Sequence, residues 1–403
     1  MNLRTALPLL LAVAAACSSS NGQNGAGPSG DAGAADTAPV MDAAHDGSSS
    51  ADSGIHEAEA GPDAAALYAD AVLSAEWKAV AGAPTVTGGA KQDDIYFPSL
   101  SIGYAVSGPA STVYKTIDGG VTWKGVFTHA GTYFRSVLFV DDAHGFVSNL
   151  GPITGTGITD TNVMYETKDG GMSWTPVTAI TGPMPSGICN QNKIDASHLV
   201  AIGRVNGPSF LMTSSNAGAS WTSQDMNTPF QMLIDAHFFS TSEGVVVGGS
   251  AGSTMYCSIQ RTTNGGGSWK QVFQSATPNS LCWKISFPSD QVGYVSVQDT
   301  SGGPPTFAKT IDGGKTWAET PIAGAGAMYP GIGMGFITED IGWLSADDPT
   351  APTLRTTDGG KTWAKDATLV SPINRFRFLD PTTAFAIGAT IWRLDVPWTG
   401  GDL

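Results

Sequence analysis

The sequence predicts an all-β fold, a closed ring of seven four-stranded antiparallel blades that forms a β-propeller. Two repeated patterns and one unpaired strand near the N-terminus lead to this prediction. The first pattern is an eight-residue stretch ending in Trp, found at 116–123, 167–174, 214–221, 262–269, 310–317 and 356–363. Successive Trp residues lie 51, 47, 48, 48 and 46 positions apart, a period typical of propellers and related repeat folds.

The second pattern places an aromatic residue six positions before a Gly that opens another apolar run. It reads FPSLSIGY at 97–104, FVDDAHGF at 139–146, FPSDQVGY at 287–294 and FITEDIGW at 336–343. Two apolar runs joined by a polar turn indicate a β-hairpin. A third run leads into the Trp-ending stretch and a fourth follows the Trp, so each unit supplies the four strands of one blade.

The N-terminal strand is predicted to close the ring. The seventh unit, 374–395, has no Trp-ending stretch and no clear fourth strand. EWKAVAG at 76–82 resembles the fourth strands of the other units, and Trp77 lies 46 positions before Trp123. We therefore expect this strand to complete the seventh blade, which removes an open sheet edge.

The first residues are typical of a bacterial lipoprotein signal. One Arg, an apolar run and small residues precede Cys17, so 1–16 is predicted to be cleaved and Cys17 acylated as a membrane anchor. An ordinary signal peptide with an incidental Cys is the alternative. Residues 17–62 are rich in Gly, Ser, Ala and Asp and are predicted to be a disordered linker. A short helix or linker at 63–76 and the propeller at 77–398 complete the chain, which we expect at the outer membrane, cell surface or periplasmic face.

Composition narrows the range of partners. Twenty Lys and Arg against 35 Asp and Glu give a net charge of −15, which makes nucleic acid a poor partner. No ligand spacing indicates a metal or another cofactor, and we expect a monomer. Cys257 and Cys282 are expected near one rim, where the sequence leaves both a disulfide and free thiols open; Cys189 is the remaining cysteine.

The Trp-ending stretches are predicted to be structural. Each places Asp or Asn between two hydroxyl-bearing residues, and such side chains accept backbone hydrogen bonds in turns. Gly supplies the positive φ and Trp buries a large area. Six equivalent turns around a ring cannot converge on one ligand. The residues concerned are Asp118, Asp169, Asn216, Asn264, Asp312, Asp358, Trp123, Trp174, Trp221, Trp269, Trp317 and Trp363.

The pattern S/T-x-D-x-G-x-T/S-W is the Asp-box, also called the BNR repeat. Its combination with the aromatic-x5-Gly hairpin resembles the photosystem II stability/assembly factor-like propellers across 77–398. The resemblance implies a non-catalytic binding protein that assists the assembly of membrane or envelope proteins. Bacterial members of this family are often secreted or lipid-anchored.

Sialidases and some endoglucanases also carry Asp-boxes, so a carbohydrate-binding or glycoside hydrolase function is the alternative. A sialidase-like site would draw on Arg135, Arg204, Arg375 and Tyr133. An endoglucanase-like site needs two opposed carboxylates, for which Asp94, Asp235 and Asp299 are available. No spacing identifies a catalytic residue, so enzymatic activity is uncertain and its absence is favoured.

The arrangement of the central funnel should separate the two functions. A pair of carboxylates or a trio of Arg side chains there would favour the carbohydrate function. A funnel blocked by Trp283 or Tyr329, with a flat apolar rim, would favour protein binding.

A partner-binding face is predicted opposite the box turns. The longest irregular segments are expected to gather there, where length variation often accompanies function; they are 149–162, 204–209, 248–257, 298–305 and 346–353. The entrances to the first strands add Tyr133, Arg135, Asp235, Trp283, Lys284, Tyr329 and Arg375. Aromatic residues with a few charges suit an envelope protein or a polysaccharide.

Overall fold

The computed structural model describes residues 62–325, 331–370 and 372–400. These residues form one helix, α1 (Pro62–Ser74), and 29 strands in seven sheets, which confirms the predicted seven-bladed propeller. Among them no helix has the length and apolar character needed to cross a membrane. The predicted signal, Cys17 and the linker up to residue 61 lie outside the described residues.

The first outer strand in the chain, β1 (Trp77–Ala79), belongs to the last blade. Blade one contains β2 (Asp94–Tyr96), β3 (Gly103–Ser107), β4 (Thr112–Thr116) and β5 (Lys124–Thr128). Blade two contains β6 (Phe134–Phe139), β7 (Gly145–Asn149), β8 (Met164–Thr167) and β9 (Thr175–Pro176). Blade three contains β10 (Ile180–Thr181), β11 (Asn190–Lys193), β12 (Leu199–Gly203), β13 (Phe210–Ser214) and β14 (Trp221–Asp225).

The remaining blades repeat the same order from the axis outward. Blade four contains β15 (Phe230–Phe238), β16 (Gly244–Ser250), β17 (Cys257–Thr262) and β18 (Lys270–Gln274). Blade five contains β19 (Ser280–Ser286), β20 (Gly293–Asp299), β21 (Thr306–Thr310) and β22 (Ala318–Pro321). Blade six contains β23 (Gly331–Phe336), β24 (Gly342–Ala346), β25 (Pro352–Thr356) and β26 (Ala364–Val370). Blade seven contains β27 (Ile373–Asp380), β28 (Thr383–Gly388) and β29 (Ile391–Asp395), with β1 outermost.

Closure by the N-terminal strand is confirmed. Strand β1 runs antiparallel to β29, with Trp77 opposite Leu394. The buried Trp77 ring meets Trp343 of blade six and Phe376 of blade seven edge-on, at centroid distances of 5.4 and 5.7 Å. Tyr68 of α1 belongs to the same apolar cluster. The N-terminal strand therefore completes the seventh sheet and also fills the seam between the last two blades.

Blade three differs from the predicted four strands. Strand β10 pairs in parallel with β14, with Ile180 opposite Trp221, which gives this blade a fifth strand. Because β10 lies in the connection between blades two and three, it carries neither repeated pattern and was not predicted.

The aromatic-x5-Gly pattern has a direct steric cause. A Cβ placed on Gly103 would lie 2.5 Å from the ring of Phe97, and one on Gly342 would lie 2.5 Å from the ring of Phe336. At these two positions the absence of a side chain lets the ring lie across its own hairpin. The Phe336 ring also stacks on Tyr294 of the preceding blade at 3.5 Å, so the hairpin pattern also holds neighbouring blades together.

Candidate functional site on the propeller axis

The box turns form self-contained hydrogen-bond networks. In the first box, Thr116 Oγ1 donates to Asp118 Oδ1 and accepts from the Gly120 N–H at 3.0 Å. The same carboxylate accepts from the Thr122 N–H at 2.8 Å and from the Thr122 hydroxyl at 2.5 Å. These bonds, led by the Thr122 hydroxyl, lower the pKa of Asp118 to about 2. The carboxylate is thus engaged by its own turn.

The two Asn boxes keep the same geometry without the charge. Asn216 Oδ1 accepts from the Ser220 N–H at 3.0 Å, while its Nδ2 donates to the Ser220 hydroxyl at 2.9 Å. Asn264 makes the equivalent bonds to Ser268. The hydroxyl therefore donates in an Asp box and accepts in an Asn box, and the turn is preserved.

All six boxes lie on one face of the ring, which we call the box face. The N–H of the residue after each Asp or Asn donates to a carbonyl in the first hairpin of the same blade, at 2.8–3.0 Å, as Gly119 does to Ser101 and Gly313 to Gln291. The first-strand entrances and the loops between second and third strands therefore gather on the opposite face. We call this the loop face.

The axis of the ring is lined by one equivalent residue from each innermost strand. In six blades this residue lies opposite the third residue after the Gly of the aromatic-x5-Gly pattern, or after the residue that replaces this Gly. Asp94 thus lies opposite Val106, and Arg375 lies opposite Ile387. In blade five the Lys284 N–H donates to the Ser296 hydroxyl at the corresponding place. The seven residues are Asp94, Ser136, Asn190, Asp235, Lys284, Gly333 and Arg375.

Bulges in the innermost strands add further side chains to this ring. The pairing shifts register between Phe134 and Ser136, and between Ile373 and Arg375, and such bulges re-aim side chains. The charged residues brought together are Asp93, Asp94, Arg135, Asp235, Lys284, Arg375 and Arg377, which we call the axial cluster. Each of these seven residues is at most 7 % exposed.

Ion pairs within the axial cluster span the ring. Arg375 Nη1 lies 3.1 Å from Asp235 Oδ2, and this pair joins blades seven and four across the axis. Arg375 Nε also lies 3.6 Å from Asp94 Oδ1. Arg377 Nη2 bonds Asp94 at 3.0 Å, and Arg135 pairs with Asp93. These ion pairs therefore connect blades one, two, four and seven at the axis.

Backbone donors complete the carboxylate environments. Asp94 Oδ2 accepts from the Val137 N–H at 3.1 Å, and Asp235 Oδ2 accepts from the Ile285 N–H at 3.2 Å. Asn190 Nδ2 bonds Asp235 Oδ1. Burial raises the pKa of Asp94 to about 6 against the attraction of Arg375. These bonds tie each carboxylate to a neighbouring blade.

Lys284 is the exception within the cluster. Its side chain is buried, yet its ammonium makes neither a hydrogen bond nor an ion pair to any residue of the described ranges. Burial, followed by the like charges of Arg375 and Arg135, holds the pKa of Lys284 well below its usual range.

The structure therefore corrects the expected location of four predicted face residues. Arg135, Asp235, Lys284 and Arg375 lie inside the axial cluster and not on an exposed surface. They point inward because a first strand of a propeller borders the axis, where a small channel is filled by side chains. Sequence reasoning missed Asp93 and Arg377 as members of the cluster; their positions next to, or two residues from, a ring residue would have identified them.

The aromatic residues predicted for the partner-binding face differ from the charged ones in their exposure. Tyr133 and Trp283 are partly exposed, and the Tyr133 ring packs so closely on Gly108 that a Cβ there would lie 2.1 Å away. Trp283 Nε1 donates to Gln298 Oε1. Tyr329 lies outside the described residues.

Two residues named for alternative catalytic sites lie apart from the cluster. Arg204 donates to the carbonyls of Leu150 and Gly207 at 2.9 and 2.7 Å. Asp299 accepts from N–H groups of its own turn. Among the described residues no group of three or more His, Cys, Asp or Glu side chains is placed to hold a metal ion.

A disulfide resolves the open question about two cysteines. Cys257 and Cys282 are bridged, with their Cα atoms 4.7 Å apart, so the bridge joins β17 of blade four to β19 of blade five. Cys189 is a free, buried thiol whose Sγ accepts from the Val205 N–H at 3.2 Å.

Comparison with known proteins supports the fold. No protein-family model and no curated protein matches the sequence. Among solved structures, YCF48 bound to D1 peptide is 22 % identical, with a TM-score of 0.58 over 80 % of this chain and 97 % of that one. YCF48 from Cyanidioschyzon merolae is 17 % identical, with a TM-score of 0.58 over 81 % of this chain and 100 % of that one.

A glycoside hydrolase has a similar fold. The GH74 xyloglucanase from Xanthomonas campestris is 14 % identical, with a TM-score of 0.54 over 79 % of this chain but only 53 % of its own length. These likenesses establish the β-propeller fold.

Proposed function

We propose that this protein is a non-catalytic binding propeller of the cell envelope, anchored at Cys17, that holds a protein partner on its loop face. The observation that carries the proposal is that the carboxylates on the axis are already paired within the protein. Asp94 and Asp235 are each engaged by Arg and backbone donors, whereas glycoside hydrolysis needs two carboxyl groups that face substrate. The loop face remains as the surface on which a partner can dock.

The direction of the chain supports the choice of face. In the other blades the fourth strand starts at the box turn, and β1 occupies that position in blade seven. Trp77 therefore lies at the box face, so the described N-terminal residues join the propeller at the box face and leave the loop face uncovered by β1.

The chemistry of the loop face also suits a protein. Tyr133, Tyr256 and Trp283 are partly exposed there, and Tyr and Trp are enriched at protein interfaces. The similar YCF48 structure holds a D1 peptide, which favours a peptide or protein partner here. Disulfides such as Cys257–Cys282 persist in oxidising compartments outside the cytosol, which is where an exported protein would be found.

The test is retention of a partner by the full-length chain. The protein is immobilised through a C-terminal tag and exposed to detergent-solubilised envelope. We expect a stoichiometric protein to be retained, and to be lost when Tyr256 and Trp283 are both changed to Ala. The matched control replaces Ile117 and Ile311 by Ala; both are 71 % exposed on the box face. Equal loss in the control variant would contradict the proposed face.

A polysaccharide partner is the second candidate, favoured by a specific observation. The funnel does hold two carboxylates, Asp94 and Asp235, linked by Arg375, together with Arg135 and Arg377. Retention of polysaccharide alone, or release of sugar from xyloglucan that stops in an Asp235→Asn variant, would favour this function over protein binding.

A further inference from the structure

The axial cluster contains one more positive group than negative groups. Its cations are Arg135, Lys284, Arg375 and Arg377, and its carboxylates are Asp93, Asp94 and Asp235. Each carboxylate already has an Arg partner: Arg135 for Asp93, Arg377 for Asp94 and Arg375 for Asp235. Among the described residues, Lys284 is therefore the cation of the cluster that makes no direct ion pair, and Asp235 and Asp94 attract it only at longer range.

A second buried donor near the axis is also unsatisfied. Arg375 Nε has no hydrogen-bond partner, since the nearest carboxylate oxygen, Asp94 Oδ1, lies 3.6 Å away. Lys284 and Arg375 belong to blades five and seven. Between them blade six supplies Gly333 at the ring position, because a Cβ there would lie 2.1 Å from the Ile373 carbonyl oxygen. That ring position therefore carries no side chain, and the backbone of blade seven packs directly against it.

A buried charge without a partner is strongly unfavourable, so it is normally paired or neutralised. Asn190, Asp94 and Asp235 are committed to other partners. The remaining ways to balance Lys284 are the loss of its proton or the arrival of a negative ion.

We propose that the axial cluster binds one small monovalent inorganic anion, such as chloride, at the Lys284 ammonium on the Arg375 side of the ring. The ion balances the fourth cation and accepts the donors that the protein leaves unpaired. Binding links blades five and seven across blade six, so the anion stabilises the closed ring. Because the anion favours the charged ammonium, binding takes up a proton and is stronger at lower pH.

The experiment compares chloride with gluconate, a larger organic anion, at equal ionic strength. Thermal unfolding of the full chain is followed at pH 6 and pH 9 while sodium chloride replaces sodium gluconate. We expect Tm to rise with chloride and then saturate, since a ligand that binds the folded state stabilises it by mass action. The rise should be larger at pH 6.

The matched variants each remove one positive charge. Lys284→Met removes it from the axis, and Lys315→Met removes it from the exposed tip of a box turn. The chloride-dependent rise should vanish in Lys284→Met and persist in Lys315→Met. An equal rise in Lys284→Met, or no chloride-specific rise in the wild type, would overturn the proposal. Should Lys284→Met fail to fold, crystals of the wild type soaked in bromide decide: anomalous density beside Lys284 supports the site, and its absence rejects it.

Discussion

Replacement of Asp312 by Ala tests whether a box is a structural turn. The carboxylate accepts from the N–H groups of Lys315 and Thr316 at 3.0 and 2.9 Å. It also accepts from the hydroxyls of Thr310 and Thr316 at 2.8 and 2.6 Å. Removing this acceptor breaks four hydrogen bonds, three of them exposed to solvent, at a total cost of about 1–3 kcal/mol in the free energy of unfolding. At ~2 °C per kcal/mol for a domain of this size, Tm should fall by ~2–6 °C.

The matched control is Asp312→Asn, because the chain already contains two Asn boxes with the same bonds. Asn216 shows that the amide oxygen accepts the backbone N–H while the amide nitrogen donates to the hydroxyl. The Asn variant should therefore lose less than about 1 kcal/mol. Urea unfolding of the full chain measures both variants, and partner retention should be unchanged in both. Equal losses in the Ala and Asn variants, or lost retention with intact stability, would refute the structural role.

Three further predictions concern acid stability, the hairpin pattern and the axis. Burial raises the pKa of Asp312, but the Thr316 hydroxyl and other donors prevail and lower it to about 2. Its stabilisation is thus present above the usual Asp pKa and lost as pH falls toward 2, and Asp312→Asn should unfold less steeply with acid. Gly342→Ala should lower the free energy of unfolding by about 1–3 kcal/mol, because the new methyl group overpacks against Phe336. In the control Gly125→Ala the Cβ would have contacts of 3.5 Å or more, so the loss should be under ~0.5 kcal/mol. Equal losses in the two variants would contradict the steric explanation. Arg375→Met should cost about 3–5 kcal/mol in urea unfolding because it leaves buried carboxylates without their cation, and a neutral result would show that the axis is wetter than described.

The sequence predicted the ring because most blades bury the same residues for the same reason. The aromatic-x5-Gly hairpin and the box must both recur to hold neighbouring blades, so their period revealed the number of units. Trp77 revealed the closing strand because it repeats the position of the box Trp residues without a box. Strand β10 had no such signal, since its pairing with β14 depends on the path of one connection.

The axial cluster was less accessible to sequence reasoning. Arg135, Asp235, Lys284 and Arg375 were recognised as first-strand residues, but alternation along a strand does not tell a surface entrance from a filled channel. The pairing of Arg375 with Asp235 joins residues 140 positions apart, and it exists only because three blades separate them around the ring. Register counted from the hairpin Gly would have assigned the axis residues of five blades, whereas blades three and seven have Leu199 and Ala384 at that position.

The measurement that tests the proposed function most directly is hydrogen–deuterium exchange of the full-length protein with and without the retained partner. We predict that protection on binding falls on the loop-face segments 149–162, 204–209, 248–257, 298–305 and 346–353. The six box turns should exchange at the same rate in both states. Protection confined to the box turns, with the loop-face segments unchanged, would contradict the account.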